Sequence, residues 1–143
     1  MESEIISSVL VGIFTLAGAF LGAFLQYYFS ERKLHERNRK ALYGEICRNL
    51  TVSQGNHQLG TKESYDRVRG YRTYHVSSYR IVCANGDVVD LPQEVRLRLE
   101  GTYESMLFFN RKIREGKGSE IGFDLIQEIN NNLLWLRDNF PHK

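Results

Sequence analysis

Between Ile5 and Phe29 the chain runs for 25 residues, IISSVLVGIFTLAGAFLGAFLQYYF, without one acidic or basic side chain. As a helix rising about 1.5 Å per residue the run is roughly 38 Å long, enough to cross a hydrocarbon layer of about 30 Å with modest tilt. A cleaved signal peptide is the competing reading, because Ala17-Gly18-Ala19 has the small-x-small form of a cleavage site. Against it, no Lys or Arg precedes the run, and an h-region is shorter, about 7 to 15 residues. A chain of 143 residues could hardly surround such a helix as the core of a globule. The expectation is a retained transmembrane segment over residues 1–30.

Orientation follows from the flanks. Glu2 and Glu4 stand before the apolar run, whereas Arg32, Lys33, Arg37, Arg39 and Lys40 follow it at once, with Tyr27 and Tyr28 at the headgroup level. The positive-inside rule then places the amino terminus outside and the carboxyl side in the cytoplasm, at the inner membrane. The same basic collar can attract anionic lipid, each charge contributing about 1 kcal/mol near the surface. A plain topology signal on a solvated helix explains it equally well.

Side chains along the span are sorted by size. Ser8, Gly12, Thr15, Ala19, Gly22 and Gln26 follow one another at steps of 4, 3, 4, 3 and 4, placing small or polar groups on one helical face. Bulky Leu10, Phe14, Phe20, Leu21 and Phe24 occupy the other. Acyl chains give apolar helices no hydrophobic reason to associate, so close backbone approach and hydrogen bonds across helices mark the associating face. The stripe predicts a homo-oligomer in the lipid bilayer. In a tight assembly it is buried; in a wider ring the same hydroxyl and amide groups line a pore.

The remainder is large enough for one small domain, and the near balance of 19 basic and 17 acidic residues over the whole chain excludes a highly charged disordered protein. The expected fold class is all-α, with the transmembrane helix continuing as a basic juxtamembrane stalk over 31–50 and a cytoplasmic bundle of about four helices over 51–143. Thr51 to Lys62, polar and carrying Gly55 and Gly60, reads as a loop and hinge. Glu63 to Ala84 carries Tyr and Val at spacings near three, giving one helix or two broken at Gly70. Asn85-Gly86 is also a hairpin signal, but a helix with Gly86 at its C-cap suits the upstream spacing better. Asp90 is the expected N-cap of the next helix, with Val95, Leu99, Tyr103, Met106, Asn110 and Ile113 on its inner face and a stop at Gly116-Lys117-Gly118. The last helix opens near Ser119, buries Leu125, Ile129, Leu133, Leu136 and Phe140, and stops before Pro141.

Motifs for catalysis are sparse. The sequence has no Gly-rich phosphate loop, paired-Cys motif, HExxH or nucleophile elbow, so no cofactor is expected. Cys47 and Cys83 read as reduced thiols, and His35, His57, His75 and His142 lack the spacing of metal ligands. Arg69 and His75, with five residues between them, fit the Arg-x(4 to 6)-His pattern of HEPN ribonucleases. In such a pair Arg neutralises charge on phosphorus while His moves a proton during attack by a ribose 2′-hydroxyl. The interleaved Arg67, Arg69, Tyr71, Arg72, Tyr74 and Arg80 suit a phosphorylated ligand or single-stranded RNA, although packing of the tyrosines is the simpler reading.

The single span, the continuation ALYGEICRNL and the downstream GDVVDLPQEVRLRLEGTYESMLFFNRKI resemble small prokaryotic membrane proteins that carry a cytoplasmic helical domain. In architecture the chain is similar to the membrane accessory effector of type VI CRISPR systems, which has one span, a divergent HEPN-like domain and a ring-shaped pore assembly. That resemblance implies an antiviral role in which membrane integrity is lost on activation, and carries over no catalytic or ligand residue. The partners expected are further copies of the chain, the bilayer, and an RNA, nucleotide or protein trigger, with no DNA. The alternatives are a membrane-tethered HEPN-type ribonuclease and a non-conducting anchor for a partner protein.

Overall fold

The computed structural model describes residues 2–61 and 70–141 and is all-α, with no strand among the described residues. Among the described residues four helices carry it: α1 (Glu2–Gly60), α2 (Ser77–Ala84), α3 (Gln93–Arg114) and α4 (Phe123–Asn139), with a short 3-10 turn at Gly118–Glu120. Packing divides the chain into two units, Met1–Glu36 and Arg37–Lys143.

The first unit is wholly helical over its described residues, and one stretch of α1 is long and apolar enough to cross a membrane. None of that apolar window is buried. Phe14, Phe20 and Phe24 are 74%, 77% and 65% exposed, a cost that water would impose and acyl chains would remove. Two hydroxyl groups in this segment are satisfied within the helix: Thr15 donates to the Val11 carbonyl at 2.8 Å and Ser30 to the Tyr27 carbonyl at 2.8 Å.

In the second unit, α1 runs ten residues past Leu50, where the stalk was expected to end, so Thr51 to Gly60 is helix and not the expected hinge loop. The physical reason is a buried face made largely of polar groups. Asn38, Leu42, Glu45, Ile46, Asn49, Leu50, Ser53, Asn56 and Gly60 are buried, recurring every three or four residues, so the helical period is present but not in hydrophobicity. Gly60 permits a close crossing: a Cβ there would stand 2.8 Å from the Phe123 ring.

Within the stretch Glu63 to Ala84, expected as one helix or two broken at Gly70, Gly70 is helical and Ser77–Ala84 forms α2. Residues 62–69 lie outside the described residues, and 71–76 have no regular secondary structure. Beyond α2 the chain turns as a helix end and not as a hairpin. Asn85 is the C-cap and Gly86 adopts φ +74°; the Gly86 N–H meets the Cys83 carbonyl at 3.1 Å and the Asp87 N–H the Val82 carbonyl at 3.0 Å. These are the paired bonds of a Schellman stop, which needs a left-handed residue that glycine supplies without steric cost. The pattern repeats after α3, where Gly116 at φ +71° presents its N–H to the Ile113 carbonyl at 3.1 Å and Lys117 its N–H to Lys112 at 2.9 Å.

Helix α3 starts later than expected. Pro92 holds the N-cap position with no side-chain cap, and Asp90 instead lies 3.7 Å from the Arg39 guanidinium. The inner face agrees with the periodicity: Val95, Leu99, Tyr103, Met106 and Asn110 are buried and Ile113 packs against the core. Helix α4 opens at Phe123, after the 3-10 turn, and not near Ser119. It buries Ile129, Leu133 and Leu136, with Phe140 just beyond its end, but uses Ile126 for full burial where Leu125 was expected and is only half-buried. Arg98 of α3 lies over the Trp135 ring of α4 at 4.4 Å and donates to the Asn132 side chain at 3.3 Å.

Candidate functional site

The most constructed part of the second unit is the irregular segment 71–76. A backbone outside helix or sheet still carries one donor and one acceptor per residue, and burial demands partners for them. Three asparagines provide these. Asn56 accepts from the Arg72 N–H at 2.9 Å and donates to the Arg72 carbonyl at 2.9 Å. Asn49 holds His75 the same way, at 2.8 and 2.7 Å. Asn110 of α3 holds Tyr74, again at 2.8 and 2.8 Å. Each side-chain amide thus imitates a neighbouring β-strand for one residue, using both halves of its hydrogen-bonding capacity.

Glu45 completes the frame. Val76, the N-cap residue of α2, makes no side-chain cap, and the fully buried Glu45 reaches over from α1 to take that role. It accepts from the Ser77 hydroxyl at 3.1 Å, the Ser78 N–H at 2.8 Å, the Tyr79 N–H at 3.2 Å and the Tyr103 hydroxyl at 3.0 Å. Four donors on two oxygens suit an acceptor-only carboxylate, and a helix N-terminus favours negative charge. Burial pushes the Tyr103 phenol far up, with the adjacent Glu45 adding to the effect, so the phenol keeps the proton that it donates. Tyr79, stacked on Tyr103 at 4.1 Å, is pushed up as well, chiefly by burial.

Held in this way, the segment forms one wall of a groove of about 690 Å³ whose other wall is α1 between Arg48 and Leu59. Arg48, Thr51, Val52 and Gly55 face it from the helix, and Arg72 and His75 from the segment. The volume falls in the range of small-ligand sites, about 300 to 1,000 Å³. Gly70 lies at one end, where a Cβ would stand 2.9 Å from the Leu59 side chain. Arg48, Arg72 and His75 are exposed, and no carboxylate pairs with either arginine among the described residues.

Of the pair Arg69 and His75, His75 lines this groove and Arg69 lies outside the described residues, as does Arg67. Tyr71 and Tyr74 do not form a base-stacking platform. Both are buried edge-on against Phe109, at 5.7 and 5.1 Å, so the packing reading of these rings holds. Arg80 is exposed on α2. No three His, Cys, Asp or Glu side chains gather into a metal-binding group among the described residues. Cys47 and Cys83 are free thiols, and His57 packs on Phe123 at 4.9 Å.

In the first unit, Ser8, Gly12, Thr15, Ala19, Gly22 and Gln26 are all exposed on α1, and nothing lies within 4 Å of where a Cβ on Gly12 or Gly22 would stand. In the basic collar, Arg32, Lys33, Arg37 and Lys40 are exposed, whereas Arg39 is half-buried beside Asp90. No protein-family model, curated protein or solved structure matches the chain.

Thr51 and Asn56 fall in the stretch that reads as loop, and Arg48 and Asn49 in the stalk 31–50, so periodicity alone does not bring the four together. The signal was the run Glu45, Asn49, Ser53, Asn56, Gly60, polar or small at every third or fourth position.

Proposed function

We propose that the chain is a single-pass inner-membrane protein whose copies associate along the Ser8–Gln26 stripe, with the helical domain in the cytoplasm. The observation that carries this reading is the complete exposure of the apolar window of α1 together with its sorted faces. Such a surface needs a cover. Lipid covers the face bearing Phe14, Phe20 and Phe24, and a second copy covers the face where Gly12 and Gly22 leave room for close backbone approach. The basic residues 32–40 keep their side of the span in the cytoplasm. By the architectural resemblance noted above, the assembly is a defence effector that compromises the membrane when its cytoplasmic domain is triggered.

Gly22→Leu inserts an isobutyl group into the contact and is expected to weaken association roughly tenfold or more, the effect of losing about 1–2 kcal/mol of helix contact. Phe14→Leu, on the lipid face, leaves it unchanged. Light scattering of the full chain in detergent micelles reads both, and parental masses for both variants refute the stripe as contact face. Loss of membrane potential on expression of the parent, absent with Gly22→Leu, separates a conducting assembly from a passive anchor.

A further inference from the structure

The geometry points to the groove between α1 and segment 71–76 as a binding site for a phosphorylated mononucleotide. Three features carry this. First, Arg48 and Arg72 reach one cavity from different elements, with His75 and the Thr51 hydroxyl beside them, and neither guanidinium is neutralised by a carboxylate among the described residues. Cations converging on one cavity attract an anion, and the guanidinium fork matches the oxygens of a phosphate. Second, the cationic wall is fixed from behind. Asn56 grips the Arg72 backbone and Asn49 that of His75, so the two side chains leave an anchored main chain. Anchoring lowers the ordering cost that binding would otherwise carry. Third, the cavity of about 690 Å³ is far larger than a phosphate ion needs, and Val52 and Leu59 give it apolar surface. A ligand with an anionic head and a planar, weakly polar body uses both parts; a nucleoside monophosphate has that composition.

Binding here is independent of association in the bilayer, so either can fail without the other. The test is titration of the full chain in detergent micelles, followed by calorimetry, with adenosine monophosphate, adenosine, inorganic phosphate and a short single-stranded RNA. The nucleotide is expected to bind at least about tenfold tighter than adenosine or phosphate, the worth of one good charge-assisted hydrogen bond. Arg48→Gln and Arg72→Gln should each weaken it about tenfold or more, and Arg111→Gln, an exposed change on α3 away from the groove, should not. Unchanged Trp135 emission confirms that the variants are folded. Absence of nucleotide binding, binding undiminished in both groove variants, phosphate binding as tightly as nucleotide, or binding of RNA alone would each overturn the assignment.

Discussion

Glu45→Ala lowers the unfolding free energy of the helical domain by about 3–5 kcal/mol, as much as truncating a large core side chain. The residue is fully buried, and its carboxylate collects two backbone N–H groups at the start of α2 and two hydroxyls. Truncation strips the start of α2 of its cap, at about 0.5–2 kcal/mol, and leaves the buried Tyr103 hydroxyl without its acceptor, at about 1–3 kcal/mol, with the space vacated by the side chain adding to both. The Ser77 hydroxyl, on an exposed residue, can rotate to another acceptor and loses less. Glu45→Gln keeps the shape and one oxygen but turns an NH2 group toward the donors, and falls between parent and alanine, at about 2 kcal/mol. Glu104→Ala, exposed on α3, stays within about 0.5 kcal/mol of the parent. Urea unfolding of the full chain in micelles checks this through Trp135, the single tryptophan, whose ring lies under Arg98 and so reports the helical domain and not the apolar segment. If Glu45→Ala unfolds within about 1 kcal/mol of Glu104→Ala, the cap role is refuted.

Asn110→Ala comes next, at about 3 kcal/mol. It strands both the N–H and the carbonyl of Tyr74, and both bonds lie in buried surroundings. Asn49→Ala and Asn56→Ala strand a residue pair in the same way but in part-buried places, where water replaces the lost bonds, and cost about 1–2 kcal/mol each. Local opening follows the same order: amide exchange at Arg72, Tyr74 and His75 should accelerate in all three variants, most in Asn110→Ala. Equal costs for the three, or a neutral Asn110→Ala, would mean that segment 71–76 is held by ring packing of Tyr71 and Tyr74 on Phe109 alone.

These two effects also explain which parts of the fold were legible in the sequence. The apolar run Ile5–Phe29, the inner faces of α3 and α4, and the glycine stops at Gly86 and Gly116 all follow from hydrophobic period or from positive φ, and are readable residue by residue. The second half of α1 is not, because Asn49 and Asn56 face inward to serve the backbone of a segment more than a dozen residues away, with Ser53 buried between them. Polar residues at helical spacing count as solvent-facing until their partners are known. Segment 71–76 fails for the mirror reason: its tyrosines have helical spacing but pack as an irregular strand-like stretch, since Asn side chains satisfy the peptides that a helix would have satisfied internally. Asp90 has the local features of an N-cap, yet α3 begins after Pro92 and the Asp90 carboxylate lies 3.7 Å from Arg39. In the candidate site, His75 was visible as part of a motif. Arg48 and Thr51 were not, because the groove they line exists only when α1 continues past Leu50.

On the proposed reading, copies of the chain meet in the bilayer through the small-residue face of α1. Disulfide crosslinking in native membranes tests it most directly, in a background with Cys47 and Cys83 changed to Ser and single cysteines placed along the span. Cysteines at Gly12, Thr15, Ala19 and Gly22 should give covalent dimers on mild oxidation, and those at Leu10, Phe14, Phe20 and Phe24 should stay monomeric. The reverse pattern, or uniform monomers at all eight positions, would contradict the account.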